Sequence, residues 1–257
     1  MLEYAFMQRA LIGGLLVSII APFMGTFIVV RRMSLIGDSL SHVALSGIVL
    51  AALFGIEPIY GAVVITVIAA YFIFFLRENY ASYEEISLAI IMSSGIALAS
   101  VRMGFSKNIR GNFLSYLFGS ITGISNQDIY IMIALSIIIF AFWGVNYYKL
   151  FHMAFDEESA KAMGIKTYKL GKIFIILIAL CVVVSMRIVG VLLISSMMVI
   201  PVAAAMQYSL SFKQTIISSI IIAVISVIGG ITLSFYFDLA SGGTIVLISV
   251  IILIASI

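Results

Sequence analysis

The chain has 257 residues, of which 63% are hydrophobic and only 10% are charged, with a formal net charge of +3. Soluble domains carry roughly 25% charged residues, so this composition, with a mean hydropathy of +1.26, excludes a soluble globular protein. We therefore predict an integral membrane protein.

Apolar segments long enough to cross a membrane follow one another along the whole chain. A crossing helix needs about 20 mostly apolar residues. Another apolar segment, 112–124, is too short to cross comfortably and predicts a re-entrant or interfacial helix. No linker divides the sequence, so we predict one all-α domain over 1–257, a bundle of eight or nine transmembrane helices. The nine candidate spans are 6–30, 35–55, 58–76, 85–103, 128–148, 168–186, 187–208, 213–237 and 241–257.

The positions of lysine and arginine predict the orientation, because positive residues beside membrane spans tend to stay in the cytoplasm. If the turn at Arg31 and Arg32 is cytoplasmic, nine basic residues fall on that side and five on the other. The N-terminus is then expected outside, provided that 112–124 does not cross. Acidic Glu3 and the absence of a small-residue cleavage site predict that the first apolar segment is retained as a span.

Three residues inside the predicted spans have a structural interpretation. Pro22 and Pro201 lack an amide hydrogen, so each is expected to kink or pack its helix and to free a carbonyl. Cys181 is the only cysteine, which excludes a disulfide within one chain, and a thiol in an apolar run is usually inert packing.

Asp38 and His42 stand four residues apart at the start of an apolar segment, and they are the chain's main functional candidates. At this spacing two side chains share one helix face, where a carboxylate oxygen and an imidazole nitrogen can converge on one point. Ionisable groups inside membrane spans usually mark a substrate or ion path. The pair could hold a divalent cation, relay a proton, or form a structural hydrogen bond.

Two protein ligands are too few for a tight metal site, since zinc usually has four ligands and manganese prefers six. A two-fold dimer would supply two carboxylates and two imidazoles around one axis and would enclose a path between the subunits. These ligand types favour zinc, manganese or iron(II) over calcium and magnesium, which prefer oxygen ligands alone. The ion would be cargo, and no tightly bound cofactor is predicted.

The longest polar interruption, 155–165 within a connector of about 152–168, predicts a short capped helix on the cytoplasmic side. Asp156 can cap its first turn, Glu157 and Glu158 suit its positive end, and Gly164 can end it in the left-handed conformation. Ala160 and Met163 are expected to share one face. Such a helix could dock into a partner's groove, or it could be an ordinary solvated connector.

Four motifs follow one another along the chain. They are Arg31-Arg32-Met33-Ser34 leading to Gly37-Asp38 and His42; Tyr116-Leu117-Phe118-Gly119-Ser120; Val189-Gly190-Val191-Leu192-Leu193 continuing to Pro201; and Ser241-Gly242-Gly243-Thr244. With these motifs the chain resembles, over nearly its whole length, the membrane permease of zinc/manganese/iron ABC importers of bacteria. After Pro201, however, the chain has Val202-Ala203-Ala204-Ala205, where the family often includes a threonine. Ala240 stands where the family commonly has proline.

The resemblance implies a homodimeric transport subunit in the bacterial cell membrane, surrounded by lipid and without a nucleic-acid partner. It implies that a pair of cytoplasmic ATP-binding subunits docks on the segment 155–165, and that an extracellular or periplasmic binding protein delivers the metal. It also implies that Asp38 and His42 contact the moving ion. The sequence contains no G-x-x-x-x-G-K-[ST] phosphate loop, so ATP hydrolysis is assigned to a separate chain and this subunit is not expected to be an enzyme.

Other functions stay open from the sequence. A proton- or ion-coupled secondary carrier could use the same pair without ATP, and an ABC importer of a metal chelate such as a siderophore, haem or cobalamin is a further alternative. An intramembrane metalloprotease is disfavoured because no H-E-x-x-H motif is present. His152 borders the connector and is interpreted as structural, and methionines such as Met197 are interpreted as packing rather than as copper(I) ligands.

Overall fold

The computed structural model describes residues 3–80, 84–104, 116–119, 123–208 and 211–257. Those residues are helical almost throughout, and no strand occurs among them, which confirms the predicted all-α fold. The helices are α1 (Ala5–Val30), α2 (Leu35–Leu53), α3 (Pro58–Asn79), α4 (Glu84–Gly104), α5 (Asn126–Phe155), α6 (Glu157–Ala162), α7 (Thr167–Val189), α8 (Val191–Tyr208), α9 (Phe212–Phe237) and α10 (Ser241–Ser256).

Seven of the described helices are long and apolar enough to cross a membrane, namely α1, α2, α3, α5, α7, α8 and α9. The apolar parts of α4, Leu88–Val101, and of α10, Ser241–Ser256, are shorter. Each of the nine predicted spans coincides with a helix, but two boundaries differ. Helix α5 continues to Phe155 instead of ending at 148, and the break between α7 and α8 falls at Gly190. The predicted interfacial segment 112–124 lies mostly outside the described residues.

Helix α2 packs against α3, α4, α7 and α8, while α1 packs on α8, α9 and α5. In the most apolar stretches of α2 and of α7, 72% of the residues are buried, compared with 33% in α3 and in α5. The outer helices expose large apolar side chains such as Val145, at 78%. Lipid tails are as apolar as these side chains, so this exposure suits a protein whose outer helices face the bilayer. The two ionisable residues of α2, Asp38 and His42, therefore lie on a helix that is mostly covered by protein.

Three of the four sequence motifs meet at the break between α7 and α8. Gly190 has a φ of 93°, and a methyl group added there would lie 2.4 Å from the carbonyl oxygen of Leu117. Gly119, with a φ of 77°, approaches the carbonyl oxygen of Ile188 so closely that a methyl group would lie 2.2 Å from it. Gly242, at the start of α10, packs on the same turn. Only glycine combines a positive φ with such close backbone contact.

Both intramembrane prolines lie inside continuous helices and are buried, Pro22 in α1 and Pro201 in α8. The hydroxyl of Thr26 donates to the carbonyl oxygen of Pro22 at 2.9 Å. A proline cannot donate to the carbonyl four residues earlier, so each leaves one backbone acceptor without its helical partner. Their assignment as kink or packing positions stays a prediction.

Candidate metal site

The start of α2 is held by a hydrogen-bonded turn that follows α1. The amide of Arg31 donates to the carbonyl of Phe27 at 3.1 Å, and that of Met33 donates to the carbonyl of Ile28 at 2.8 Å. Arg32 adopts a left-handed conformation with a φ of 57°. These bonds fix the end of α1 relative to the first turn of α2, which contains Asp38. A carboxylate is favoured there by the positive end of the helix dipole.

The structure brings Asp38 and His42 together on one face of α2. His42 Nε2 lies 3.8 Å from Asp38 Oδ1, which is too long for a hydrogen bond. The Asp38 side chain is 31% exposed and the His42 side chain is 12% exposed, in a helix that is otherwise largely buried. The two groups are therefore accessible and directed at a common point without being bonded to each other, an arrangement that leaves both free to bind an ion.

Two neighbouring helices complete the surroundings of this pair. From α8, the hydroxyl of Ser195 donates to Asp38 Oδ1 at 3.3 Å. On the other side α4 crosses closely, since a methyl group added at Gly95 would lie 3.2 Å from the carbonyl carbon of His42. Ser195 was not predicted from the sequence. The signal that could have identified it is the pair of hydroxyl residues Ser195 and Ser196, in an apolar span that carries one of the four motifs.

Within the described part of the chain, no group of three or more His, Cys, Asp and Glu side chains converges as a metal site. One copy therefore contributes a carboxylate and an imidazole at this point, with one hydroxyl hydrogen-bonded to the carboxylate. The other histidine, His152, lies at the end of α5 with its ring centre 5.8 Å from that of Phe151.

The predicted short helix is present as α6, and its capping is confirmed. Asp156 Oδ1 accepts hydrogen bonds from the amides of Glu158 and Ser159, both at 3.0 Å. Hydrogen bonds from the Ser159 hydroxyl and amide hold the pKa of the Asp156 carboxyl below its usual value. Gly164 has a φ of 77° just after the helix, as expected of a left-handed terminating residue.

The two faces of α6 differ from the prediction. Ala160 is fully buried, whereas Met163 is 63% exposed, so these residues do not share a face. The reason is that α6 ends at Ala162 and Met163 forms its C-cap. Two residues three apart share a face only when both lie within the helix, and Met163 lies just beyond it. Glu157 is turned inward with Ala160, and Glu158 is exposed. The accessible surface of α6 thus contains Glu158 and Met163 but neither Glu157 nor Ala160.

Glu157 forms an ion pair with Arg31, and Lys161 lies 3.3 Å from its other carboxylate oxygen. Burial raises the pKa of the Glu157 carboxyl. The positive charges of Arg31 and Lys161 together lower this pKa by more than burial raises it, so the net shift is downward. The carboxylate is consequently ionised at neutral pH. The guanidinium of Arg31 also lies 5.6 Å from the ring centre of Phe27, a distance suited to a cation–π contact.

A second ion pair, between Arg187 and Asp128, lies at the ends of the spans opposite to those where Arg31 and Glu157 meet. Arg187 Nη1 is 2.7 Å from Asp128 Oδ2, and Arg187 Nη2 is 3.5 Å from Glu57 Oε1. Asp128 is buried and forms a capping box with Ser125 at the start of α5. From the sequence, Arg187 was predicted only as one of the five basic residues on the outer side of the membrane. Its partners are distant in sequence, and no spacing signal identifies them.

Three features define a polytopic membrane permease. The chain forms a bundle of long apolar helices, it has an ionisable pair on the largely buried helix α2, and a capped polar helix lies between two spans. The profile of the ABC 3 transport family matches residues 3–257. The chain belongs to the ABC 3 transport family, which confirms the resemblance drawn from the four motifs.

Relatives and a solved structure agree over nearly the full length. The chain is 34% identical to the high-affinity zinc uptake system membrane protein ZnuB of Haemophilus influenzae, covering 96% of this chain and 95% of ZnuB. It is 31% identical to the manganese import system permease protein ScaB of Streptococcus gordonii, covering 99% and 91%. The solved structure of PsaBC from Streptococcus pneumoniae in complex with Fab matches with a TM-score of 0.88 at 30% identity, covering 99% of this chain and 92% of that chain.

Proposed function

We propose that this chain is the membrane permease of an ABC importer that moves zinc, manganese or iron(II) into the cell. The observation that carries the proposal is the pair Asp38 and His42, partly exposed side by side on a helix that is otherwise largely buried. Placing a carboxylate in a membrane interior costs free energy unless it has a partner or a function. Among the residues that the structure describes, the one side-chain hydrogen bond to this carboxylate comes from Ser195 and is long, at 3.3 Å, which favours an ion as a further partner.

The relatives' names support a transition metal but divide between two ions, because one is named for zinc uptake and another for manganese import. Imidazole and carboxylate ligands suit both of these ions and iron(II). The pair therefore defines the class of cargo, and the choice within that class is a matter for measurement.

The transport path is proposed to lie between two copies of the chain. A two-fold axis beside α2 would bring two carboxylates and two imidazoles around one ion. Because each chain would contribute only two ligands, the ion could stay partly coordinated or hydrated and be released, as transport requires.

A pair of separate ATP-binding subunits is proposed to dock on the exposed surface around α6, which we define as Phe155 at the end of α5, Glu158 in α6 and Met163 at the C-cap of α6. All three are exposed, at 61% for Phe155 and 63% for Met163. An apolar anchor flanked by charge is the type of surface that enters a partner's groove. In this arrangement α6 is cytoplasmic, the N-terminus lies outside, and an extracellular or periplasmic protein supplies the ion.

The proposal is tested by measuring the metal content of bacterial cells by elemental mass spectrometry under metal limitation. Cells lacking the chain should show a selective loss of one of the three metals, and the wild-type chain should restore it. Removal of the ATP-binding subunit should produce the same loss. Uptake that continues without that subunit would favour a secondary carrier, and no change in any metal would contradict the proposal.

A further inference from the structure

We propose that the ion pair between Arg31 and Glu157 is the link by which α6 controls the position of Asp38 and His42. This inference rests on the function proposed above, in which α6 receives the motion of the ATP-binding subunits. It assigns Arg31 and Glu157 as positioning residues: neither contacts the ion, and both act through the helix that carries the metal ligands.

The pair joins two elements that are distant in sequence and close to different parts of the mechanism. Arg31 ends α1, and Glu157 begins α6, 126 residues later. The Arg31 side chain is 12% exposed and that of Glu157 is 26% exposed. Because partly buried charges are screened less by salt and water than exposed ones, this contact can transmit a displacement that an exposed pair cannot.

Glu157 has a second cation that serves as an internal comparison. Lys161 lies on the same helix, four residues further on, with a side chain that is 55% exposed. An exposed ion pair at this spacing contributes little to stability. Both of its residues belong to α6. The Arg31 contact, in contrast, joins α6 to the end of α1.

From Arg31 the route to the metal pair is short and rigid. Asp38 is the seventh residue after Arg31. The turn between them is held by backbone hydrogen bonds at Arg31, Arg32, Met33 and Ile36. The side chain of Met33 is 2% exposed, which anchors the turn in the core. Because close-packed segments move as units, a displacement of Arg31 is expected to turn or shift the first turn of α2, where Asp38 lies.

A purely structural role predicts a different outcome. If the pair only holds α6 in place, its loss should weaken subunit docking, so that ATP hydrolysis and ion uptake fall together. If the pair transmits motion, hydrolysis should continue while fewer ions move per ATP. The ratio of ions transported to ATP hydrolysed therefore separates the two roles, and a coupling pathway requires such evidence rather than proximity alone.

The experiment uses the complete complex of permease and ATP-binding subunits in proteoliposomes, together with the extracellular or periplasmic binding protein, and Zn²⁺, Mn²⁺ and Fe²⁺ are supplied in separate assays. Arg31→Gln and Glu157→Gln should each lower the number of ions transported per ATP by about threefold to thirtyfold, the range typical of residues that couple distant sites. Their hydrolysis rates should stay within about twofold of wild type. Lys161→Gln is the matched control and should keep the wild-type ratio.

The double variant Arg31→Gln with Glu157→Gln completes the test. If the two residues act as one contact, the double variant should lose no more than either single variant. Losses that multiply would overturn the link, as would an unchanged ratio in both single variants or a parallel fall of hydrolysis and uptake. If the wild-type complex transports none of the three metals with ATP, the proposed function fails instead, so the two failures are distinguishable.

Discussion

The ion pair between Arg187 and Asp128 should be a major source of stability at the ends of α7 and α5. Asp128→Asn removes the negative charge 2.7 Å from the guanidinium while keeping the size of the side chain and an oxygen acceptor for the α5 cap. Among the described residues, Arg187 would keep Glu57 as its acidic partner, at 3.5 Å and with a side chain that is 60% exposed.

The expected magnitude follows from the burial of each partner. Breaking a buried pair by removing one charge costs about 3–5 kcal/mol, and the Asp128 side chain is 5% exposed. At about 2–4 °C per kcal/mol for a chain of this size, Asp128→Asn should lower the melting temperature by roughly 6–20 °C. Glu57→Gln removes only the exposed partner, so about 0.2–1 kcal/mol and a shift below about 4 °C are expected.

The chain provides its own reporter for this measurement. Cys181 is the only cysteine and is fully buried in α7, so a thiol-reactive fluorescent dye should label it only when the bundle opens. Melting curves of the detergent-purified wild type, Asp128→Asn and Glu57→Gln then compare the two partners directly. Equal shifts for the two variants, or a shift below about 4 °C for Asp128→Asn, would refute the reasoning from burial.

Two further predictions concern the site and the motif junction. Ser195→Ala should weaken metal uptake by roughly fivefold, because one hydrogen bond to the Asp38 carboxylate is worth about 1 kcal/mol; concentration-dependent uptake would measure it, and an unchanged half-saturating concentration would contradict it. Gly190→Ala should abolish membrane accumulation of folded chain, since φ is 93° and the added methyl group meets a carbonyl oxygen at 2.4 Å. Gly243→Ala, with open space around it, is the matched control, and equal losses in immunoblots of membranes would argue against the steric explanation.

The sequence predicted those features that depend on neighbours along the chain. Asp38 and His42 share a face because four residues make about one helical turn, and Asp156 caps α6 because its oxygen reaches amides two and three residues ahead. The break at Gly190 was predicted three residues too early, since Arg187 was the only charged residue in the apolar run 173–208. Its position is set by contact with Leu117, which hydropathy does not encode.

Features that depend on distant contacts could not be predicted. The direction of Glu157 is decided by Arg31, 126 residues away, so the sequence could not show that this acidic residue faces inward while Glu158 faces out. The same applies to Ser195, which approaches Asp38 only because α8 packs on α2. Local spacing identified the ligand pair, whereas tertiary packing determined its surroundings.

The measurement that tests the central claim most directly is ATP-driven uptake of Zn²⁺ and Mn²⁺ by the reconstituted complex carrying Asp38→Asn or His42→Ala. His152→Ala and Asp238→Asn are matched controls, because each makes the same type of change at an exposed residue far from α2 in sequence. We predict that both site variants lose uptake of the transported metal while still assembling with the ATP-binding subunits, and that both controls keep it. Full uptake by Asp38→Asn and His42→Ala would contradict the claim that these two residues line the path of the ion.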